Sequence, residues 1–359
     1  MHSLSLLGSC LLYAGLAQSK PYGSSEKAFL PFKLVQGPSS PQMLSQEGQL
    51  DGPKWYFDAV SSTSRNESIN VLFYNHGPDS FQVPYIDGPL NLQISGTFEN
   101  GTWFLLNDEA TGGAVIESGT NGVSGKFKGA GASFKGSSLN DPNPEYTITV
   151  NNKRLGVYGK MTLRSVSPPH YPCDINKAGV SQEIIPNVFW SNAQPDAVAT
   201  VDFVIQGKPI KFTGVGYHDK NWASSPIEKE TRSWYWGHGR VGPYSLVWYD
   251  TVTPNGKEYF SSWITKNGKI VSKSCEPNAV VVRPWGKNEE FPPARGAPAP
   301  PGYTMRYDLG EQGIFVANFT RETITLETDT YKRMIGSITG GFEGKKQHKG
   351  WSLCEQFQF

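Results

Sequence analysis

Within nine residues, Gly214-Val215-Gly216-Tyr217-His218-Asp219-Lys220-Asn221-Trp222 gathers an imidazole, a carboxyl, an ammonium, an amide and two aromatic rings. His218 beside Asp219 offers the side chains of general acid–base work, and Tyr217 and Asn221 add hydrogen-bonding groups to them. Just downstream, Ser233-Trp234-Tyr235-Trp236-Gly237-His238-Gly239-Arg240 concentrates indole rings and another imidazole, material for an apolar pocket whose ring faces also stabilise positive charge. A blander reading makes the same residues a tight turn, with Asp219 capping backbone amides, His218 a satisfied donor and the tryptophans barrel core. His218, Asp219 and His238 lack a further ligand for a metal, so none is expected. No nucleophile elbow, phosphate loop, dinucleotide fingerprint or HExxH helix occurs, and no cofactor is expected.

The run from Gly216 to Trp222 resembles the Gly-Tyr-His-Asp-x-Asn-Trp signature of the hydroxyneurosporene synthase (carotenoid hydratase)-like proteins and of the fungal lipocalin-like Diels-Alderases that share their fold. Asp51-Gly52-Pro53-Lys54-Trp55-Tyr56-Phe57-Asp58 resembles the Trp-Tyr-Phe-Asp strand of that family's first domain. The resemblance spans most of the mature chain. It implies two β domains with a cavity at their junction, and a pericyclase of fungal secondary metabolism performing a stereoselective [4+2] cycloaddition, Diels-Alder or hetero-Diels-Alder. On this basis His218, Asp219, Asn221 and Asp51 are the candidate catalytic residues, with Glu47 the alternative to Asp51. Trp55, Tyr74, Tyr217, Trp222, Trp234, Trp236 and His238 are the candidate substrate-binding residues. Tyr74 and His76 also read as a strand end before a Gly77-Pro78 turn, and His348, among Lys345, Lys346 and Lys349, reads as a solvated turn.

Three functions compete for these residues. A pericyclase needs an apolar cavity and a few donors, since holding two reactants in one geometry is worth about 7–11 kcal/mol. Its partner would be a hydrophobic polyene, quinone methide or terpene. A hydratase or cyclising isomerase of isoprenoids would instead use Asp219 as an acid with a raised pKa. A secreted lipocalin-like carrier would bind such a molecule and leave it unchanged.

The elements that must position these groups read as strands. Val201, Phe203 and Ile205 alternate with polar residues, Lys208-Pro209 suggests a turn, and the polar knot then ends the strand. With 39 Gly, 26 Pro and 13% aromatic residues, the composition favours many short strands. The fold class expected is all-β: an N-terminal β-sandwich or barrel-like domain over 46–185 and a C-terminal lipocalin-like antiparallel β-barrel over 186–359. Ser167 to Cys173, rich in proline, is the expected connector, and Asn100-Gly101, Asn151-Asn152, Asn255-Gly256 and Asn267-Gly268 are the expected hairpin turns. A net charge of +1 with interspersed signs gives no nucleic-acid face.

Leu4 to Ala17 is apolar and too short to span a bilayer comfortably, so residues 1–17 read as a secretory signal peptide without stable membrane insertion, a retained interfacial anchor being the alternative. A linker-like segment over 18–45 follows. Sequons at Asn66, Asn100 and Asn318 fit a secreted or lumenal glycoprotein. If Cys10 leaves with the leader, Cys173, Cys275 and Cys354 allow one disulfide and a spare thiol. Cys354, near the C-terminus, is the natural partner, with the choice between Cys173 and Cys275 open.

Overall fold

The computed structural model of the chain describes residues 32–36, 51–64, 66–75 and 88–359, with side chains described from Lys54 onward. The expected leader, Cys10, Glu47, His76 and most of the 18–45 segment lie outside the described residues.

Runs of β-branched and aromatic residues form strands, and the glycine-containing pairs between them form turns. The first sheet opens with β1 (Phe32–Gln36), inside the stretch expected to be linker-like, then β2 (Asp51–Ser61), β3 (Ser68–Asn75), β4 (Leu90–Thr97) and β5 (Trp103–Glu109). There follow β6 (Ala114–Gly119), β7 (Gly122–Phe127), β8 (Ala132–Gly136), β9 (Glu145–Asn152) and β10 (Val157–Ser165). Short β11 (Glu183–Ile185) precedes two long strands, β12 (Val188–Ile205) and β13 (Lys208–Ala223). Their turn is Gln206-Gly207, both at positive φ, two residues earlier than the expected Lys208-Pro209.

The ladder runs β1-β6-β7-β8-β9-β10-β12-β13-β2-β3-β4-β5, with β11 beside β12, and β1 joins β6 in parallel. β5 and β6 lie near opposite ends of this order, yet only residues 110–113 separate them. The five Cα–Cα steps from Glu109 to Ala114 reach at most about 18 Å. The sheet must therefore roll up, and its interior holds Trp55, Phe57, Phe73, Phe134, Ile148 and Leu163.

The second sheet contains β14 (Ser233–Val241), β15 (Tyr244–Val252), β16 (Glu258–Lys266), β17 (Lys269–Ser274) and β18 (Val281–Trp285). β19 (Gly302–Asp308), β20 (Ile314–Glu327), β21 (Tyr331–Phe342) and β22 (His348–Gln358) complete it. Its order, β17-β16-β15-β14-β22-β21-β20-β19-β18, seats β22 centrally beside β14, and its two end strands are joined by residues 275–280. This sheet curls around Tyr235, Trp248, Met305, Phe315 and Cys354. The described residues are thus nearly all-β, in two sheets, with a four-residue helix at Ile227–Glu230 and a short 3-10 turn at Gly310–Gln312 the exceptions.

The change of sheet falls between Ala223 and Ser233, later than the expected residue 186. β12 and β13 stay in the first sheet because β13 pairs with β2 from Gly214 to Ala223. The proline-rich Ser167 to Cys173 is a loop over the junction, tied to the second sheet where Trp263 Nε1 donates to Ser167 Oγ at 3.2 Å. Its last residue, Cys173, forms a disulfide with Cys275, and Cys354 is a buried free thiol. Cys354 misses the expected pairing because β22 alternates, sending Leu353 to the junction and Cys354 into the second-sheet interior. The Cys173–Cys275 bond closes a separation of 102 residues. Replacing both cysteines by Ala is expected to lower stability by about 2–4 kcal/mol, read as a fall in the urea midpoint.

A third apolar layer, including Tyr56, Tyr74, Trp190, Tyr217, Trp236 and Tyr249, fills the space between the sheets. β2 shows how one strand serves two layers. Trp55, Phe57 and Ala59 enter the first interior, whereas Tyr56 and Val60 face the second sheet.

Candidate active site

β13 carries the His-Asp knot as continuous strand, not as the end of one. Gly214 and Gly216 provide close approach here, not a bend. A Cβ at Gly214 would lie 1.9 Å from the Val60 carbonyl oxygen, and one at Gly216 would lie 2.5 Å from Leu163 Cδ2. Because neighbouring residues of a strand project to opposite faces, His218 and Asp219 part company. His218 enters the first-sheet interior, stacked on Phe57 at 3.9 Å, with Nδ1 2.8 Å from the Tyr56 carbonyl oxygen. Burial lowers its pKa to about 3, so it stays neutral. The two neighbouring candidates thus lie in different layers, His218 in the first-sheet interior and Asp219 at the junction. Replacing His218 by Ala is expected to cost about 2–4 kcal/mol of stability by leaving a cavity, with the pH dependence of turnover unchanged; a shifted pH profile would return His218 to the reaction.

Asp219 faces a cavity of about 220 Å³ between the two sheets. The first sheet contributes Lys54, Tyr56, Tyr74, Trp190, Asn221 and Trp222 to its walls, and the second Trp234, Trp236, Tyr249, Tyr331, Arg333, Glu355 and Phe357. Asp219 Oδ2 accepts from Trp190 Nε1 at 2.7 Å and lies 3.0 Å from the Tyr217 hydroxyl, while Asn221 Nδ2 is 3.4 Å from Oδ1. Burial raises the Asp219 pKa to about 7 against the opposing pull of Lys54 and of the Trp190 and Tyr217 donors; Glu355 adds to the rise. The Tyr217 hydroxyl also contacts the Asn192 side-chain amide, so one phenol bridges Asp219 and Asn192.

A second polar group stands on the facing sheet. Arg333 Nε donates to Glu355 Oε1 at 3.1 Å, the Tyr331 hydroxyl donates to the same oxygen, and Arg333 Nη1 crosses the junction to Ser95 Oγ at 3.0 Å. The guanidinium lies 5.4 Å from the Tyr56 ring centre and 5.2 Å from that of Tyr331.

The candidates read from the sequence thus scatter. Tyr74, Asn221, Trp222, Trp234 and Trp236 line the cavity with Asp219. Tyr217 is buried behind Asp219 and positions it. Trp55 turns away from the junction and packs on Phe127 and Phe134, because the alternation of β2 gives the cavity to Tyr56 instead. His238 lies outside the cavity wall, fully buried, with Nε2 2.9 Å from Asp58 Oδ2 and its ring stacked on Tyr217 at 4.6 Å. Asp51 is the first residue of β2, opposite Ala223, and its side chain lies outside the described residues. His348 packs near the Tyr244 ring, away from the cavity.

Among the described residues no three His, Cys, Asp or Glu side chains group as metal ligands. Asn100 and Asn318 are exposed, whereas the Asn66 amide donates to the Glu99 carbonyl oxygen at 3.2 Å and accepts from Thr323 at 2.7 Å. Sequence reading misses Lys54, Trp190, Tyr249, Arg333 and Glu355. The aromatic run Phe189-Trp190 is a signal for one of them; the two charges of the second sheet look like any solvated strand charge.

Residues 21–281 match the model of the family described as Diels-Alderase-like. The quinolone epoxide rearrangement protein penF of Penicillium thymicola is 57% identical over 358 residues, covering 96% of this chain and 99% of that protein. The Diels-Alderase cheD of Chaetomium globosum is 25% identical, covering 90% of this chain and 77% of its own length. The crystal structure of CghA with Sch210972 superposes with a TM-score of 0.68 over 90% of this chain and 96% of that one, at 16% identity, a likeness of fold. An epoxide rearrangement protein and a Diels-Alderase both act on small molecules, which suits an aromatic cavity between the sheets. With the family's pattern running through the first sheet and into the second, across the junction that builds this cavity, the chain belongs to the Diels-Alderase-like family.

Proposed function

We propose that the protein is an isomerase that opens an epoxide on a quinolone-type substrate and directs its rearrangement, with Asp219 as the proton donor. The observation that carries this reading is a carboxyl group with a pKa near 7 set in an aromatic cavity. The substrate class is supported by the 57% identity to a quinolone epoxide rearrangement protein.

Opening an epoxide requires a proton on oxygen as the C–O bond breaks. The bonding pair goes to oxygen and leaves a cationic carbon. Asp219, neutral below about pH 7, supplies that proton. The faces of Trp190, Trp234, Trp236 and Tyr249 surround the cation, each contact worth about 0.5–2 kcal/mol. Migration of a neighbouring bond, or capture by an internal nucleophile, quenches the cation, and a proton returns to Asp219. Atoms and electrons balance within one substrate molecule, so the sequence of steps calls for no co-reactant.

The test is incubation of purified protein with a quinolone epoxide, followed by chiral separation of products. One favoured rearrangement isomer is expected, at a rate that falls as pH rises through about 7, where the neutral acid is lost. Intact epoxide, or the isomer ratio of buffer alone, would reject the reading.

A [4+2] cycloaddition is the second reading, favoured by the match to the Diels-Alderase cheD. The same cavity would hold a polyene, or a quinone methide with a terpene alkene, in one near-attack geometry. That reaction transfers no proton. An unchanged rate in Asp219→Asn would favour it over epoxide opening.

A further inference from the structure

The Arg333–Glu355 pair is an unusual wall for an apolar substrate, because each partner keeps one polar atom in reserve. Nε and Nη1 of Arg333 are committed to Glu355 and Ser95, and Glu355 Oε1 takes both Arg333 and the Tyr331 hydroxyl. Arg333 Nη2 and Glu355 Oε2 have no hydrogen-bond partner among the described residues, and neither is among the sealed-off unsatisfied atoms. Both side chains line the cavity and are almost wholly buried, with 3% and 8% of side-chain surface exposed. Tyr56 and Tyr331 flank the guanidinium, and the Ser95 bond holds it in place, so it is fixed before any ligand arrives.

A free donor and a free acceptor on two paired side chains of one cavity wall match a ligand with the complementary order, a carbonyl oxygen beside an N–H. A carboxylate ligand would meet Glu355 as well as Arg333. An ammonium would meet the reverse conflict. An uncharged amide satisfies both atoms without leaving either buried and unpaired.

We propose that Arg333 and Glu355 form a clamp for a cyclic secondary amide, Arg333 Nη2 donating to the lactam carbonyl and Glu355 Oε2 accepting from the lactam N–H. This deepens the preceding reading, on which it rests for the cavity's occupant. The clamp stands on the second sheet and the acid on the first, so the ligand is gripped by one sheet and protonated from the other. Arg333 and Glu355 are therefore specificity-determining residues, not proton donors.

The test uses the whole protein and two probes without an epoxide, quinolin-2(1H)-one and its N-methyl derivative, with affinities from calorimetry. The wild-type protein is expected to bind the N–H lactam at least about tenfold more tightly than the N-methyl compound, the cost of one buried acceptor left unpaired. Glu355→Gln should reduce that preference to about twofold or less, whereas Arg333→Lys should weaken both probes by about tenfold, because both carry the carbonyl, with folding checked by circular dichroism. The comparison of probes on wild-type protein needs no variant, so misfolding of a variant cannot hide the answer. Equal affinity for the two probes, or no measurable binding of the N–H lactam, overturns the clamp. Epoxide turnover without lactam preference would leave the proposed reaction standing and remove the clamp; lactam preference without turnover would do the reverse.

Discussion

Asp219→Asn is expected to lower turnover by about 10²–10⁴-fold and at the same time to make the protein more stable at neutral pH. The amide keeps an oxygen to accept from Trp190 Nε1 but has no acidic proton to give. The stability gain follows from the direction of the pKa shift. Asp219 ionises near 7 in the folded protein against an ordinary value of 3.8, so the fold disfavours its charged form. Its favourable contribution is fully present below pH 3.8 and is lost as pH rises through about 7. The amide does not titrate. At about 1.4 kcal/mol per pKa unit, the variant should exceed the wild type by about 2–4 kcal/mol above pH 7 and by little near pH 4. Urea unfolding at both pH values measures the difference. An equal stability of variant and parent at pH 8 would mean that Asp219 is not held as a neutral acid, and the proton-donor role would fall with it. Stability and catalysis pull in opposite directions at this residue, as expected where an active site stores an unfavourable group.

The second large effect is expected at the Asp58–His238 pair, the polar tie between β2 and β14. Both side chains are wholly buried, and Nε2 of His238 contacts both carboxyl oxygens of Asp58, at 3.0 and 2.9 Å. His238 Nδ1 has no hydrogen-bond partner among the described residues, so Asp58→Ala leaves the buried imidazole without a hydrogen bond. Removing one member of such a pair costs about 3–5 kcal/mol, more than the intact pair contributes relative to an apolar contact. Turnover should fall as well, because the ring of His238 supports Tyr217, which holds Asp219. Thermal unfolding of Asp58→Ala and Asp58→Asn, with near-ultraviolet circular dichroism for the junction aromatics, reports both effects. A loss below about 1 kcal/mol in Asp58→Ala would show that this pair contributes little to holding the sheets together.

Much of the fold is legible in the sequence because its causes are local. Asn100-Gly101 turns β4 into β5 and Asn267-Gly268 turns β16 into β17, where glycine accepts the positive φ that the hairpins need. The knot is a different case. A polar run with two glycines has the local character of a turn, and only the seating of β2 against β13 reveals that Gly214 is there to let Val60 approach. His218 and Asp219 look like a working pair for the same reason: adjacency in sequence says nothing of facing until the residues are known to be in a strand. Arg333 and Glu355 are the converse. They are separated in sequence and unremarkable there, yet the β21–β22 register sets them directly opposite each other. The disulfide was likewise beyond local reading, because Cys354 faces the wrong side of its strand.

The position of β2 also bears on the birth of the protein. It is made early, but its two neighbours are β3, which follows at once, and β13, whose His218 is 162 residues beyond Tyr56. During synthesis the β2–β5 meander must wait with one backbone edge unsatisfied until the ribosome has delivered residue 223. Such an edge invites foreign strands. Asp219 arrives on the strand that seals it. A nascent or truncated chain therefore has no acid in place, and the reactive pocket comes into being only with the completed sheet.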